Sequence, residues 1–353
     1  MPRIKELDYL RGLAALGIML YHYFKWLYIY DGAQSVLGRL SVYGVEIFYI
    51  LSGITLYHVY HQSLKFELKP LLIYVIKRCF RIFPLFWLCI FLSLLLGMKH
   101  TSIDVFALNV SGLFGFIAWE KYIAPGSWSI GNELVFYVIF PILFILYKLK
   151  SVYYYIVGLL LLFIFNYFAY QVFDINDTLH NQWKNFVNPL NHLFLFFVGM
   201  SIPILMKRNS KRNLLSGLLI ISGTLLLFLY PSGTDGIHLL YGHHRWLFSI
   251  ASIMICCGFY AINFNFSNQI HKPLKNLGEI SYSIYLLHPF VYQLICMIFR
   301  KLIQAGVKIP PSNFLLISLA VIITLLLSKV VYLYYETYFI KKGNTLGASF
   351  YKS

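Results

Sequence analysis

Apolar runs, each near the roughly 20 residues that a helix needs to cross a bilayer, recur from one end of the chain to the other, with short polar connections between them. They predict ten helical spans, at about 8–29, 41–60, 82–98, 128–147, 152–172, 189–206, 213–230, 246–264, 280–302 and 312–335. A backbone in hydrocarbon must satisfy its own hydrogen bonds, and a helix does so within one segment. The expected fold class is therefore all-α: a polytopic membrane protein, a bundle of about ten transmembrane helices. No internal repeat or low-complexity tract interrupts the series. The expected division is one transmembrane domain over 1–340 and a short tail over 341–353. The first run begins behind Arg3 and Lys5 and is broken by Arg11, which predicts a retained span rather than a cleaved signal. The longest connections, 99–127 and 173–188, are expected to hold interfacial helices or to line a substrate entrance.

Composition supports this picture. Hydrophobic residues make up 59% of the chain and charged residues only 12%, about half of what a soluble domain carries. The net charge of +16 could suggest nucleic acid, but the basic residues lie in short clusters between apolar runs. No soluble face interleaves them with aromatics, so no nucleic-acid partner is expected. They order the topology instead. With both termini cytoplasmic, the cytoplasmic connections hold about twice as many Lys and Arg as the outer ones, as the positive-inside rule requires. Trp26, Tyr28 and Tyr30 after the first span fit an interfacial aromatic belt. Five cysteines, an odd number without metal-ligand spacing, argue against a disulfide framework and against a metal site.

Polar groups inside spans cost about 2.5–3.5 kcal/mol each and need a reason. Arg11 and His22 are eleven residues apart, so they share nearly one helix face, roughly 16 Å apart along the axis. Glu46, in YGVEIFYILSG, and Glu133, in GSWSIGNELVFY, fall within a turn or two of the depth of His22. A histidine with carboxylates at one depth is what a general base and its orienting partners require. The alternative is that each carboxylate pairs with a structural cation. Arg78 and Arg81, in RCFRIFPLFW ahead of the third span, stand one turn apart and can clamp phosphates; an ordinary positive-inside cluster explains the spacing as well. His288 precedes Pro289 mid-span, where the backbone is expected to open. Ser52, Ser127 and Ser129 are candidate substrate or oxyanion contacts. His243, His244 and Arg245 read as a solvated outer cluster. Lys329 and Glu336 lie near the inner end of the last span, where lysine can snorkel. No GxSxG, Walker or HExxH motif is present.

These segments resemble the acyltransferase-3 family of integral membrane O-acyltransferases. LDYLRGLAALGIMLYHY resembles its opening span, with an Arg and then a His. GVEIFYILSG is similar to its GVDLFFVLSG, with Glu46 for the usual Asp. RCFRIFPLFW matches its RxxR element, PGSWSIGNELVFYVIFPIL its WSLSVEEQFYLLFPLL, and LGEISYSIYLLHPF its LGxISYSLYLxHxP. Gly131 and Asn132 replace Ser-Val before Glu133, and Leu134 and Val135 replace the following acidic and glutamine positions. The five motifs run in order across nearly the whole chain.

The resemblance implies a bacterial cytoplasmic (inner) membrane enzyme. It would move an acetyl group from cytoplasmic acetyl-CoA to a carbohydrate hydroxyl at the outer face. Acceptors of that kind are O-antigen of lipopolysaccharide, capsule, exopolysaccharide, peptidoglycan or a lipid-linked glycan. Arg11, Arg78 and Arg81 would bind the acyl-CoA. His22 would be the catalytic base or acyl carrier, with Glu133 or Glu46 fixing its tautomer. Acetyl-CoA is then a substrate and no bound cofactor is expected. Membrane lipids are further partners, and a homo-oligomer is left open. Many relatives carry an SGNH hydrolase-like domain after the tenth span, which is not expected here. The rival reading is a proton-coupled transporter or flippase for a glycan lipid or small anion, since intramembrane Arg, His and Glu serve carriers too.

Overall fold

The computed structural model describes residues 3–27, 32–99, 101–206, 208, 213–306 and 313–350. Helix takes up 82% of the described residues, and no strand occurs among them. The helices are α1 (Lys5–Leu27), α2 (Val36–Tyr60), α3 (Leu68–Leu95), α4 (Ile103–Ser111) and α5 (Phe114–Ile117). Next come α6 (Trp128–Leu149), α7 (Ser151–Tyr167), α8 (Trp183–Phe186), α9 (Pro189–Leu205), α10 (Asn213–Leu229) and α11 (Ile237–Leu240). They are followed by α12 (Gly242–Ala261), α13 (Asn268–Glu279), α14 (Ser281–Gln304), α15 (Asn313–Val331) and α16 (Thr337–Ser349). One π turn, Phe168–Val172, prolongs α7, and another, Tyr332–Glu336, joins α15 to α16.

Among the described residues, seven stretches are long and apolar enough to cross a membrane: α2, α3, α6, α7 with its π turn, α8 with α9, α14, and α15 with α16. The chain is a multi-pass membrane protein. The other three expected spans exist as helices. However, α1 carries Lys5, Glu6, Asp8, Arg11 and Lys25, α10 has only 17 residues, and α12 opens on His243, His244 and Arg245. Tyr28, Tyr30, Lys207, Lys211, Arg212, Lys308 and Lys352 lie outside the described residues.

Local signals set several helix starts. Ser35 accepts a hydrogen bond from the Gly38 amide and starts α2; Asn188 accepts from the Leu190 amide, with Pro189 at the first helical position of α9. Small residues then let backbones close up, as is usual where helices pack in lipid. Gly53 of α2 and Gly199 of α9 face each other's helix so closely that a Cβ on either would overlap backbone atoms of the other. This contact holds α2 against α9. Leu40 beside Gly17 and Thr55 beside Arg11 show that α1 runs antiparallel to α2. The near end of the bundle thus carries the N-terminus, α13 and α16. The far end carries α4, α5, α8 and α11.

The course of α3 and of α14 differs from the sequence expectation. The third helix begins at Leu68, so Arg78 and Arg81 stand inside α3 rather than in a loop ahead of it. Helix α14 runs unbroken through Pro289, so the expected opening of the backbone does not occur. Residues 341–349 are helical and pack against α3, where Gly343 meets Phe80.

Candidate active site

Three adjoining cavities run through the bundle from near end to far end. The first, between α1, α2, α3 and the α15–α16 junction, is lined by Arg3, Asp8, Arg11, Thr55, Arg81 and Lys341 among others. The second shares Arg11, Thr55 and Arg81 with it and adds Ser52, Arg78, Ser129, Glu133, Tyr137, Tyr282 and Tyr285. The third lies beyond and is lined by His22, Lys25, Trp26, Tyr122, Trp128, Trp183, Tyr285 and His288. Val45 and Tyr285 are common to the second and third and form the neck between them.

The guanidiniums of the second cavity are held differently. Arg11 donates to Thr55 Oγ1 at 3.1 Å and lies 3.5 Å from Asp8, which is also clamped by Arg3 at 2.6 Å. Arg81 is paired at 2.7 Å with Glu336, whose other oxygen accepts from Ser283. Arg78 donates to the Tyr60 hydroxyl at 3.1 Å and lies over the rings of Tyr60 and Tyr137. Among the described residues Arg78 forms no ion pair, and its Nε has no hydrogen-bond partner. An uncompensated guanidinium on a cavity wall favours an anion there. Glu133, on the same cavity, accepts from Tyr137 at 2.5 Å and from Ser52 at 3.4 Å.

In the third cavity two imidazoles meet. His288 Nε2 lies 3.1 Å from His22 Nδ1, and His288 Nδ1 lies 3.1 Å from the Ile284 carbonyl. A carbonyl only accepts, so His288 Nδ1 carries the proton and its Nε2 is left as an acceptor. His22 must then donate from Nδ1, which leaves a lone pair on its Nε2. Trp26 stacks near both rings, at centroid distances of 5.3 and 6.0 Å. Tyr23 donates to the His288 carbonyl at 3.0 Å and shares a 2.6 Å hydrogen bond with Thr324, anchoring this part of α14 to α1 and α15. The neck residue Tyr285 stands three residues before His288. Its hydroxyl donates to the Gly126 carbonyl at 3.0 Å and accepts from Ser129 at 2.8 Å. Gly126 has a φ of 75°, which a residue with a side chain would adopt only under strain.

Arg11, Arg78, Arg81, Glu133, Ser52 and Ser129 thus share one cavity, and His22 and His288 share the next. The expected pairing of His22 with a carboxylate is not made. Glu133 is turned into the second cavity. Glu46 lines none of the three and is wholly buried. It accepts from Ser249 at 3.2 Å and lies 3.8 Å from both Arg245 and His192. Arg245 donates to the Asn191 carbonyl at 2.8 Å and lies 4.3 Å over the Phe165 ring, so this residue belongs to the core and not to a solvated cluster. The sequence reading missed Arg245 and His192 as partners of Glu46, and Glu336 as the partner of Arg81. Opposite charges recurring within apolar stretches were the available signal. Among the described residues no group of three or more His, Cys, Asp or Glu side chains is placed to hold a metal ion. A family model described as an acyltransferase domain matches residues 4–333. No curated protein and no solved structure matches the chain.

Proposed function

The chain belongs to the acyltransferase-3 family, and from that premise we propose that it acetylates a hydroxyl of a cell-surface carbohydrate, with acetyl-CoA as the donor. The near end of the bundle is cytoplasmic in this reading and the far end faces outward, in the bacterial inner membrane. Acetyl-CoA enters from the near end. Its phosphates meet Arg11, Arg78 and Arg81, of which Arg78 is the cation without a counter-charge. The pantetheine arm lies in the second cavity, where the Glu133 carboxylate accepts from an amide N–H of the arm. The thioester reaches the neck at Tyr285 and Val45.

The observation that carries the reading is the His22–His288 pair beyond that neck. With His288 fixing the proton on His22 Nδ1, the Nε2 lone pair takes the proton of an acceptor hydroxyl entering from the far end. The hydroxyl oxygen bonds to the thioester carbonyl carbon, the carbon–sulfur bond breaks, and His22 passes the proton to the departing thiolate. The hydroxyls of Ser129 and Tyr285 at the neck spend their protons on Tyr285 and on the Gly126 carbonyl, so in this reading they shape the neck rather than hold the oxyanion. Family membership, more than geometry, favours transfer over the carrier reading, which the same Arg, His and Glu would serve.

The decisive measurement compares the wild type with His22→Ala, at equal membrane levels, in a host making a defined surface polysaccharide. The O-acetyl signal is read by NMR of the purified glycan. Loss of a general base is expected to lower transfer by about 10²–10⁴-fold. Unchanged acetylation in the variant would remove the imidazole from the mechanism.

A further inference from the structure

The cavity beyond the neck continues into a fourth, lined by Trp26, Met98, Pro125, Pro289, Tyr292 and Arg300. Trp26, Pro125 and Pro289 are shared with the His22 cavity, so the two form one far-end recess. Its aromatic wall comprises Tyr21, Trp26, Tyr122, Trp128, Trp183 and Tyr292. Such rings offer flat apolar faces with polar rims, which suits the alternating C–H and hydroxyl surface of a sugar ring.

The charges in this recess are one-sided. Lys25 follows His22 by three residues and lines the same cavity, one helical turn further out. Arg300 lines the adjoining one. Both are exposed, and among the described residues neither forms an ion pair. No residue lining either cavity is Asp or Glu. Glu120 at this end is engaged by Lys184 at 3.4 Å. A concave, low-dielectric recess with charge of one sign focuses its field on whatever enters.

Resting on the acyl-transfer reading, we infer that the acceptor is an anionic glycan, with a carboxylate or phosphate held by Lys25 and Arg300 while the neighbouring hydroxyl meets His22. A sugar carboxylate of the polymer and the diphosphate of a lipid-linked sugar share this chemistry. Lys25 and Arg300 are specificity-determining residues here. Neither lines the donor cavity.

The test is a binding measurement, independent of turnover, on the full-length protein in neutral detergent at low salt. Quenching of tryptophan fluorescence follows three probes: a glucuronate oligosaccharide, its carboxyl-reduced neutral counterpart, and a neutral sugar on an isoprenyl diphosphate. At least one charged probe should bind more tightly than the neutral one, and raised salt should erode the difference. Tighter binding of the glucuronate assigns the charge to the polymer, and tighter binding of the diphosphate to the lipid carrier. Lys25→Gln or Arg300→Gln should weaken the preferred charged probe by about threefold to fivefold, with neutral-probe binding unchanged and the preference retained in Lys25→Arg. Equal binding of all three probes, including no binding by any, overturns the proposal. So does a preference that survives both glutamine substitutions. Acyl transfer with and without His22 is assayed in parallel. A failed charge preference with intact His22-dependent transfer therefore condemns this inference alone.

Discussion

Glu46 and Glu133 are carboxylates on two helices that touch, α2 and α6, yet they occupy opposite kinds of surroundings. Glu46 is wholly buried among Arg245, His192 and Ser249 and lines none of the cavities described above. Glu133 has no cation within ion-pair distance among the described residues and lines the cavity that holds three guanidiniums. The first arrangement ties α2 to α9 and α12 in a fully buried cluster, in which Glu46 Oε1 and two of the Arg245 nitrogens make no hydrogen bond. The second leaves both a carboxylate and the Arg78 guanidinium unspent. In a membrane protein, then, intramembrane charge marks function only where an open space adjoins it; elsewhere it fastens helices.

The contrast can be broken in several ways. The largest effect should come from Arg245→Ala, which strands the Glu46 charge in the core and should cost about 3–5 kcal/mol. Thermal unfolding of the detergent-purified protein would show it, and the paired substitution Glu46→Gln with Arg245→Met should recover much of the loss. A next, smaller effect is expected of Arg78→Ala, which should weaken acetyl-CoA binding by about 10–100-fold while the melting temperature holds or rises. Direct titration with acetyl-CoA would read this, and a collapse in stability instead would make Arg78 a fastener like Arg245. Glu133→Ala should raise the KM for donor by about tenfold, as loss of one charged hydrogen bond does, without the unfolding seen at Arg245. Matching melts for the Glu133 and Arg245 variants would erase the distinction between the two regions. Least disruptive is Tyr285→Phe, which removes two neck hydrogen bonds worth about 1 kcal/mol each but keeps the ring. It should raise acceptor-independent hydrolysis of acetyl-CoA relative to transfer; an unchanged ratio means the neck is closed by packing alone.

Much of the site was legible because its residue types were conspicuous. Arg11, His22, Glu133, Arg78, Arg81 and His288 all stand out against apolar neighbours, and they do fall along one run of cavities. Their partners were not legible. The depth of a residue along its helix follows from counting, and by depth alone Glu46 and Glu133 were equally good partners for His22. Which way each side chain turns depends on how the helices rotate against one another. The Gly53–Gly199 contact sets that rotation for α2 and α9 and directs Glu46 toward His192. Helix starts misread by a turn or more hid two further facts, that Arg245 lies inside α12 and that Arg78 lies inside α3.

By itself the sequence determined that the chain is a helical, multi-pass membrane protein, because hydropathy and helical hydrogen bonding are local properties that recur within each segment, while its five motifs in order carried the resemblance to the acyltransferase-3 family. Tertiary structure alone decided that His22 meets His288, 266 positions away, that Glu46 meets Arg245, and that Tyr285 stands between the Glu133 cavity and the His22 cavity. Those pairings join helices distant in the chain, and only close packing of whole helices fixes which faces meet.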